Sequence, residues 1–117
     1  VENGFKVGIN LMQISEITND QLISITQKIN EYPISVFYFA DSLGCLNPIQ
    51  VKEIIEIISQ FSIKPLGIHT HDNLGLALSN TLIAKENGVE WIDSTITGMG
   101  RGPGNAQTEY LLIKELI

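Results

Sequence analysis

GIHTHDNLGLAL, residues 67–78, runs from an apolar segment into a polar turn and then into a second apolar segment with helical spacing. Leu66–His71 reads as a strand, and Leu76–Glu86 as a helix stopped by Asn87-Gly88. The stretch is therefore one strand-then-helix unit, with both histidines of the chain at its junction. Residues two apart in a strand project from the same face. His69 and His71 would thus point together from the carboxyl end of the strand. Two neutral imidazoles so placed suit a divalent metal. A hydrogen-bonded pair of loop histidines is the competing reading. Asp72 and Asn73 next to them suit either groups that orient the rings or caps for the helix that follows.

The same unit recurs along the chain. Val7–Met12, Val36–Ala40 and Trp91–Thr97 are further strand-like runs, and the four runs start about 25 to 30 residues apart. They are nearly continuous in apolar residues, which suits parallel strands covered on both faces. Asp20–Asn30 has helical spacing through Leu22, Ile25 and Ile29, with Thr18 and Gln21 placed for a capping box. Asn47-Pro48 is a helix start, and Val51, Ile54, Ile55 and Ile58 share one face of the helix behind it. A fourth helix is expected from Asn105 or Ala106 to the end. Four consecutive βα units imply an α/β protein with a parallel sheet. A doubly wound sheet and half of an eight-stranded barrel both fit. In either, chemistry sits where strands end. The polar residues cluster there: Asn10, Gln13, Asp41-Ser42, His69 to Asn73, and Thr97 to Asn105.

Composition narrows the function. Apolar residues make up 44 % and charged residues 17 % of 117 residues, an ordinary globular balance for one domain. A net charge of −6 without a basic run disfavours nucleic acid and anionic membranes as partners. No apolar run approaches the roughly 20 residues of a membrane span. The single Cys45 argues against a disulfide framework, points to the cytoplasm, and reads as a small buried apolar residue. The chain opens on Val1 rather than Met, and both ends read as cut from a longer protein.

Two other strand ends carry candidates. Asp41-Ser42-Leu43-Gly44 offers a carboxylate and a hydroxyl for substrate contact or support, with capping as the alternative. Ser42 is not a hydrolase nucleophile, because no G-x-S-x-G elbow is present. Gly98-Met99-Gly100-Arg101-Gly102-Pro103-Gly104-Asn105 has four glycines and a proline in eight residues, and it follows a strand. It lacks the Lys-Ser or Lys-Thr of a phosphate-binding P-loop. It reads instead as a loop delivering Asn105 or Arg101 to a site, or as a turn with Asn105 capping the next helix.

FADSLGCLNP at 39–48, GIHTHDNLGLAL at 67–78 and GMGRGPGNAQTE at 98–109 together resemble the metal-dependent aldolase and lyase superfamily. That superfamily includes hydroxymethylglutaryl-CoA lyase, isopropylmalate and homocitrate synthases, and 4-hydroxy-2-oxovalerate aldolase. The glycine loop looks closest to the last branch. The resemblance implies a (β/α)8 TIM barrel of which this chain is strands five to eight, making residues 1–117 a partial barrel domain. It implies His69 and His71 as metal ligands, with Asn105 as a ligand or near-ligand. Asp41, Ser42 and Asn73 would line the substrate pocket, and Ser42 and Arg101 would contact the reacting 2-oxo acid. The implied cofactor is a divalent cation, Mn²⁺ or Mg²⁺ first and Zn²⁺ or Co²⁺ next, stabilising an enolate as a C–C bond breaks or forms. The family's first-strand aspartate ligand and its neighbouring arginine have no counterpart here. The expectation is an aldolase-type lyase whose fragment is inactive alone and whose exposed sheet edges favour a homo-oligomer. A Claisen-type acyl-CoA synthase and a non-catalytic binding domain are the alternatives.

Overall fold

The computed structural model describes residues 1–116; Ile117, the expected end of the last helix, lies outside the described residues. Among the described residues four strands alternate with four α-helices. They are β1 (Gly8–Leu11), α1 (Asn19–Asn30), β2 (Val36–Asp41), α2 (Pro48–Phe61), β3 (Leu66–Thr70), α3 (Ala77–Glu86), β4 (Trp91–Ile92) and α4 (Thr108–Leu116). Both expected capping boxes are present, Thr18 with Gln21 on α1 and Asn47 with Gln50 on α2, and Pro48 opens α2. Among the described residues, no helix is long and apolar enough to cross a membrane.

The strands pair in parallel in the order β1-β2-β3-β4. Each strand lies beside its successor, so right-handed crossovers carry the helices to one face of the sheet. Phe37, Phe39, Leu66 and Ile68 point to that face. They form one core with Leu22, Val51, Ile55 and Ile58 from the helices. The opposite face carries the alternate residues Asn10, Tyr38, Ala40, Gly67, His69 and Trp91, paired across the strands as Asn10 with Tyr38, Tyr38 with Gly67, and Gly67 with Trp91. One face is packed by helices, and the other bears aromatic, polar and glycine positions. This is the arrangement of a barrel segment rather than of a doubly wound sheet.

Two boundaries differ from the sequence expectation for one reason. The Trp91–Thr97 run forms only a two-residue strand, and α4 starts at Thr108 rather than at 105 or 106. The glycine loop folds back between β3 and β4. His71 bridges Asn105, and Thr95 bridges Gln107. Residues 105–107 are thus paired as extended chain and cannot enter the helix, while Thr95 is diverted from β3. Cys45 is exposed, not buried, because it sits in the loop after β2.

The α2 cap makes a direct test of this helix-on-sheet packing. Asn47→Ala removes the side chain that accepts the Gln50 N–H at 3.0 Å. It should lower stability by about 1 kcal/mol in urea titrations, with the slope unchanged.

Candidate metal centre

The site lies at the carboxyl ends of β2, β3 and β4. Alternation along β3 sets His69 and His71 on the open face, and their Nε2 atoms approach to 3.2 Å. Two ligands each about 2.1 Å from one cation are about 3.0 to 3.4 Å apart at right to tetrahedral angles. The pair therefore fits a shared cation. The rings meet edge to face, 75° apart, as two side chains aimed at one point do.

Asp93, immediately after β4, sets the chemistry of the first histidine. Its Oδ2 lies 3.1 Å from His69 Nδ1. A carboxylate only accepts, so His69 carries its proton on Nδ1 and presents the Nε2 lone pair to the site. A carboxylate behind a ligating imidazole is the usual means of holding ring and tautomer. His71 is held below the ordinary imidazole range by burial first, then by the neighbouring His69 and by Arg101, against an upward pull from Asp41. It is therefore neutral at pH 7, the state in which imidazole binds metal.

Asn105 borders the pair. Its Nδ2 donates to the Thr70 carbonyl at 3.0 Å and lies 3.3 Å from His69 Nε2. The loop is wound tightly around it. A Cβ at Gly100 would fall 2.0 Å from Asn105 Oδ1, and one at Gly104 would fall 2.0 Å from the Gly98 carbonyl. At Gly104 the clash is with backbone, so glycine is required by space, while at Gly100 a side chain would displace the Asn105 amide. The loop's other end is tied down where Glu109 accepts the Thr97 N–H with both carboxylate oxygens, at 2.8 and 3.0 Å. Thr97 there has a left-handed φ of 56°.

The remaining candidates are distributed over the neighbouring loops. Asp41 is 1 % exposed and accepts the Cys45 and Leu46 N–H groups, each at 3.1 Å. Both oxygens thus brace the loop after β2. Ser42 Oγ accepts the Gln13 N–H at 2.9 Å, joining the loops after β1 and β2 and leaving its own proton free to donate. Asn73 packs over Gly44, where a Cβ would lie 2.3 Å from Asn73 Oδ1. Asp72 caps α3 by accepting the Ala77 N–H at 2.9 Å. Arg101 stands at the tip of the glycine loop, exposed, and its charge bears on His71. Among the described residues no group of three or more His, Cys, Asp or Glu side chains is placed to hold a metal. The donor set this chain brings together is two imidazoles bordered by an amide.

Sequence reasoning missed Asp93 and Tyr38. Asp93 was hidden inside the Trp91–Thr97 run, although it stands two residues after Trp91 and so shares its face. Tyr38 lay within an apolar run. The readable signal was Gly67, a glycine within a strand, which marks a close approach by another group.

The chain belongs to the HMGL-like family, which it matches over residues 2–115. It is 38 % identical over 102 residues to the 4-hydroxy-2-oxovalerate aldolase of Carboxydothermus hydrogenoformans, covering 87 % of this chain and 30 % of that protein. The 4-hydroxy-2-oxovalerate aldolase 2 of Rhodococcus jostii is 36 % identical over 110 residues, covering 94 % of this chain and 32 % of that protein. The chain thus spans about a third of the length of these curated relatives. Among solved structures, the HMG-CoA lyase of Bacillus subtilis superposes with a TM-score of 0.86 at 25 % identity, over 97 % of this chain and 43 % of that one. The N-terminal domain of a candidate aldolase from Bacteroides vulgatus gives 0.87 at 39 % identity, over 95 % and 37 %. The fold is therefore α/β of the TIM-barrel type, with this chain matching part of the barrel.

Two substitutions test how the loops are held. Asp41→Ala leaves the half-buried Cys45 N–H and the buried Leu46 N–H without their acceptor and should cost about 1 to 3 kcal/mol in a denaturant melt. Gly100→Ala forces Asn105 aside, so the Asp72 amide, which donates to the Gly104 carbonyl at 2.9 Å, should exchange with deuterium faster than in the unaltered protein.

Proposed function

We propose that the whole protein is a divalent-metal-dependent aldolase, a C–C lyase acting on a 2-oxo acid, and that residues 1–117 form strands five to eight of its barrel domain. The observation that carries this reading is the pair of Nε2 atoms 3.2 Å apart, with Asp93 holding the first ring from behind. Family membership and the aldolase and lyase names of its relatives support it.

His69 and His71 would hold the cation, and Asn105 would border or complete its shell. Mn²⁺ or Mg²⁺ is the proposed metal, with Zn²⁺ or Co²⁺ also compatible with nitrogen ligands. When bound, it supplies Lewis acidity at the 2-oxo group, stabilising the negative charge that develops there. The chain's own residues do the rest. Ser42, its lone pair taken by Gln13, donates its hydroxyl proton to the substrate. Arg101 brings a positive charge to the rim, where a substrate carboxylate is attracted. Asn73 closes the wall beside Gly44, and Asp41 keeps the Ser42 loop in place from beneath.

The described residues bring together two imidazoles and an amide, with no anionic ligand among them. We therefore expect the 117-residue chain alone to bind metal weakly and to be inactive. The open sheet face and the edges of β1 and β4 are surfaces that the remaining barrel units, or another copy of the chain, would cover.

The test is calorimetric Mn²⁺ titration of the full-length protein beside its His69→Ala, His71→Ala double variant, followed by an assay for pyruvate release from a 4-hydroxy-2-oxo acid. Saturable binding and pyruvate release, both lost in the double variant, are the expected result. Equal Mn²⁺ binding by the two proteins would sink the metal assignment. Incorporation of acetyl-CoA without pyruvate release would move the activity to the Claisen type.

A further inference from the structure

Where α2 buries Val51, Ile55 and Ile58, α3 buries Ala77, Asn80, Thr81 and Ala84. Asn80 is 1 % exposed, an amide set between α3 and the loop after β2. Its Nδ2 donates to the Leu46 carbonyl at 2.8 Å. A carbonyl only accepts, so this bond fixes which way the amide is turned. Its Oδ1 is buried and meets no partner among the described residues. A buried acceptor in that state costs stability, and an apolar side chain of the same size would avoid the cost. What the amide supplies is therefore the bond at its other end.

That bond falls on the loop that carries Ser42. Asp41 closes this loop on its own strand end by accepting the Cys45 and Leu46 N–H groups, each at 3.1 Å. Such a closure shapes the loop but does not tie it to the next βα unit. Asn80 supplies that tie. From the Leu46 carbonyl the path runs through Asn80 and one turn of α3 to Ala77, whose N–H donates to Asp72 Oδ1 at 2.9 Å. Asp72 directly follows His71. Asn73, packed over Gly44, joins the same two loops by contact. Contact limits approach, whereas a hydrogen bond also resists separation and turning.

We infer that Asn80 is a positioning residue for Ser42: its amide clamps the Leu46 carbonyl to α3 and so fixes the Ser42 loop relative to the imidazole pair. This rests on the reading of Ser42 as the group that donates to the substrate. Asn80 acts through the loop and not on the reacting atoms. A donor hydroxyl moved out of line loses its hold on developing charge, so the cost falls on turnover rather than on metal binding.

The test uses full-length protein and the variants Asn80→Leu, which keeps a similar volume and removes the donor, Ser42→Ala, and the two combined. Thr26→Val is the control, removing a buried bond on α1 from Thr26 Oγ1 to the Leu22 carbonyl at 2.7 Å. Asn80→Leu should lower kcat/KM for pyruvate release by roughly tenfold, but by less than about twofold once Ser42 is replaced, because the two act through one group. Thr26→Val should have the same effect in both backgrounds. The Gln13 N–H, which donates to Ser42 Oγ at 2.9 Å, should exchange with deuterium faster in Asn80→Leu than in Thr26→Val. The Mn²⁺ dissociation constant should not change. An equal loss of kcat/KM in both Ser42 backgrounds, or no loss, would overturn the inference and leave Asn80 a packing residue. Mn²⁺ binding weakened along with turnover would place the effect on the histidines and overturn it as well. If Asn80→Leu does not fold, Asn80→Ala is read in the same way. If the unaltered protein releases no pyruvate, the aldolase reading fails, and the Gln13 amide still judges Asn80: faster exchange than in Thr26→Val upholds the clamp, and equal exchange overturns it.

Discussion

The bond from the Asn105 amide to the Thr70 carbonyl is the constraint on which the rest of the site depends. It draws the glycine loop back against the end of β3, and His71 then pairs with Asn105. Its consequences reach both ways along the chain. Thr95 pairs with residues of the returning loop, so β4 stops after two residues. α4 is delayed until the paired stretch is past. The amide comes to rest beside the two imidazoles. A carbonyl at a strand end has lost its ladder partner, and a buried one needs another. Here the new partner is a side chain that also borders the candidate metal site.

The loops at this end are tied to one another in sequence order. Ser42 accepts from Gln13, Asn73 seats over Gly44, and the Asp72 N–H donates to the Gly104 carbonyl. Each strand-end loop is thus braced by the next. Most of these bonds use the backbone of one partner, which is why small or glycine residues stand opposite the polar ones. A rigid rim of this kind suits a site that must hold two imidazoles within a few tenths of an ångström of a shared point. The helices supply that stiffness from the other side of the sheet. Phe37, Phe39 and Ile68 are anchored in the core, while their neighbours Tyr38 and His69 face the open side.

Much of this was legible in the residues. The recurrence of apolar run and helical run announced parallel βα units, and both capping boxes stood in plain sequence. His69 and His71 were readable as a same-face pair because the period of a strand is local. The glycine loop was readable as irregular, and the combination of three motifs pointed to the family that the chain belongs to. The roles of Asp72 and Asp41 were each open between site and cap. The structure shows both accepting backbone N–H groups, a matter of where those groups fall in space.

The sequence by itself determined the order of elements, the orientation of side chains within each strand and the end of the sheet where the polar residues gather. These follow from local periodicity and capping chemistry. Tertiary structure alone decided that the helices cover one face, that Asp93 stands behind His69, that Tyr38 lies against Gly67, and that the glycine loop cuts β4 short. The first follows from the hand of the crossovers, and the others from how segments far apart in the chain come to lie side by side. Register is specified when the whole sheet buries its apolar face against the helices, and the period within a single strand does not fix it alone.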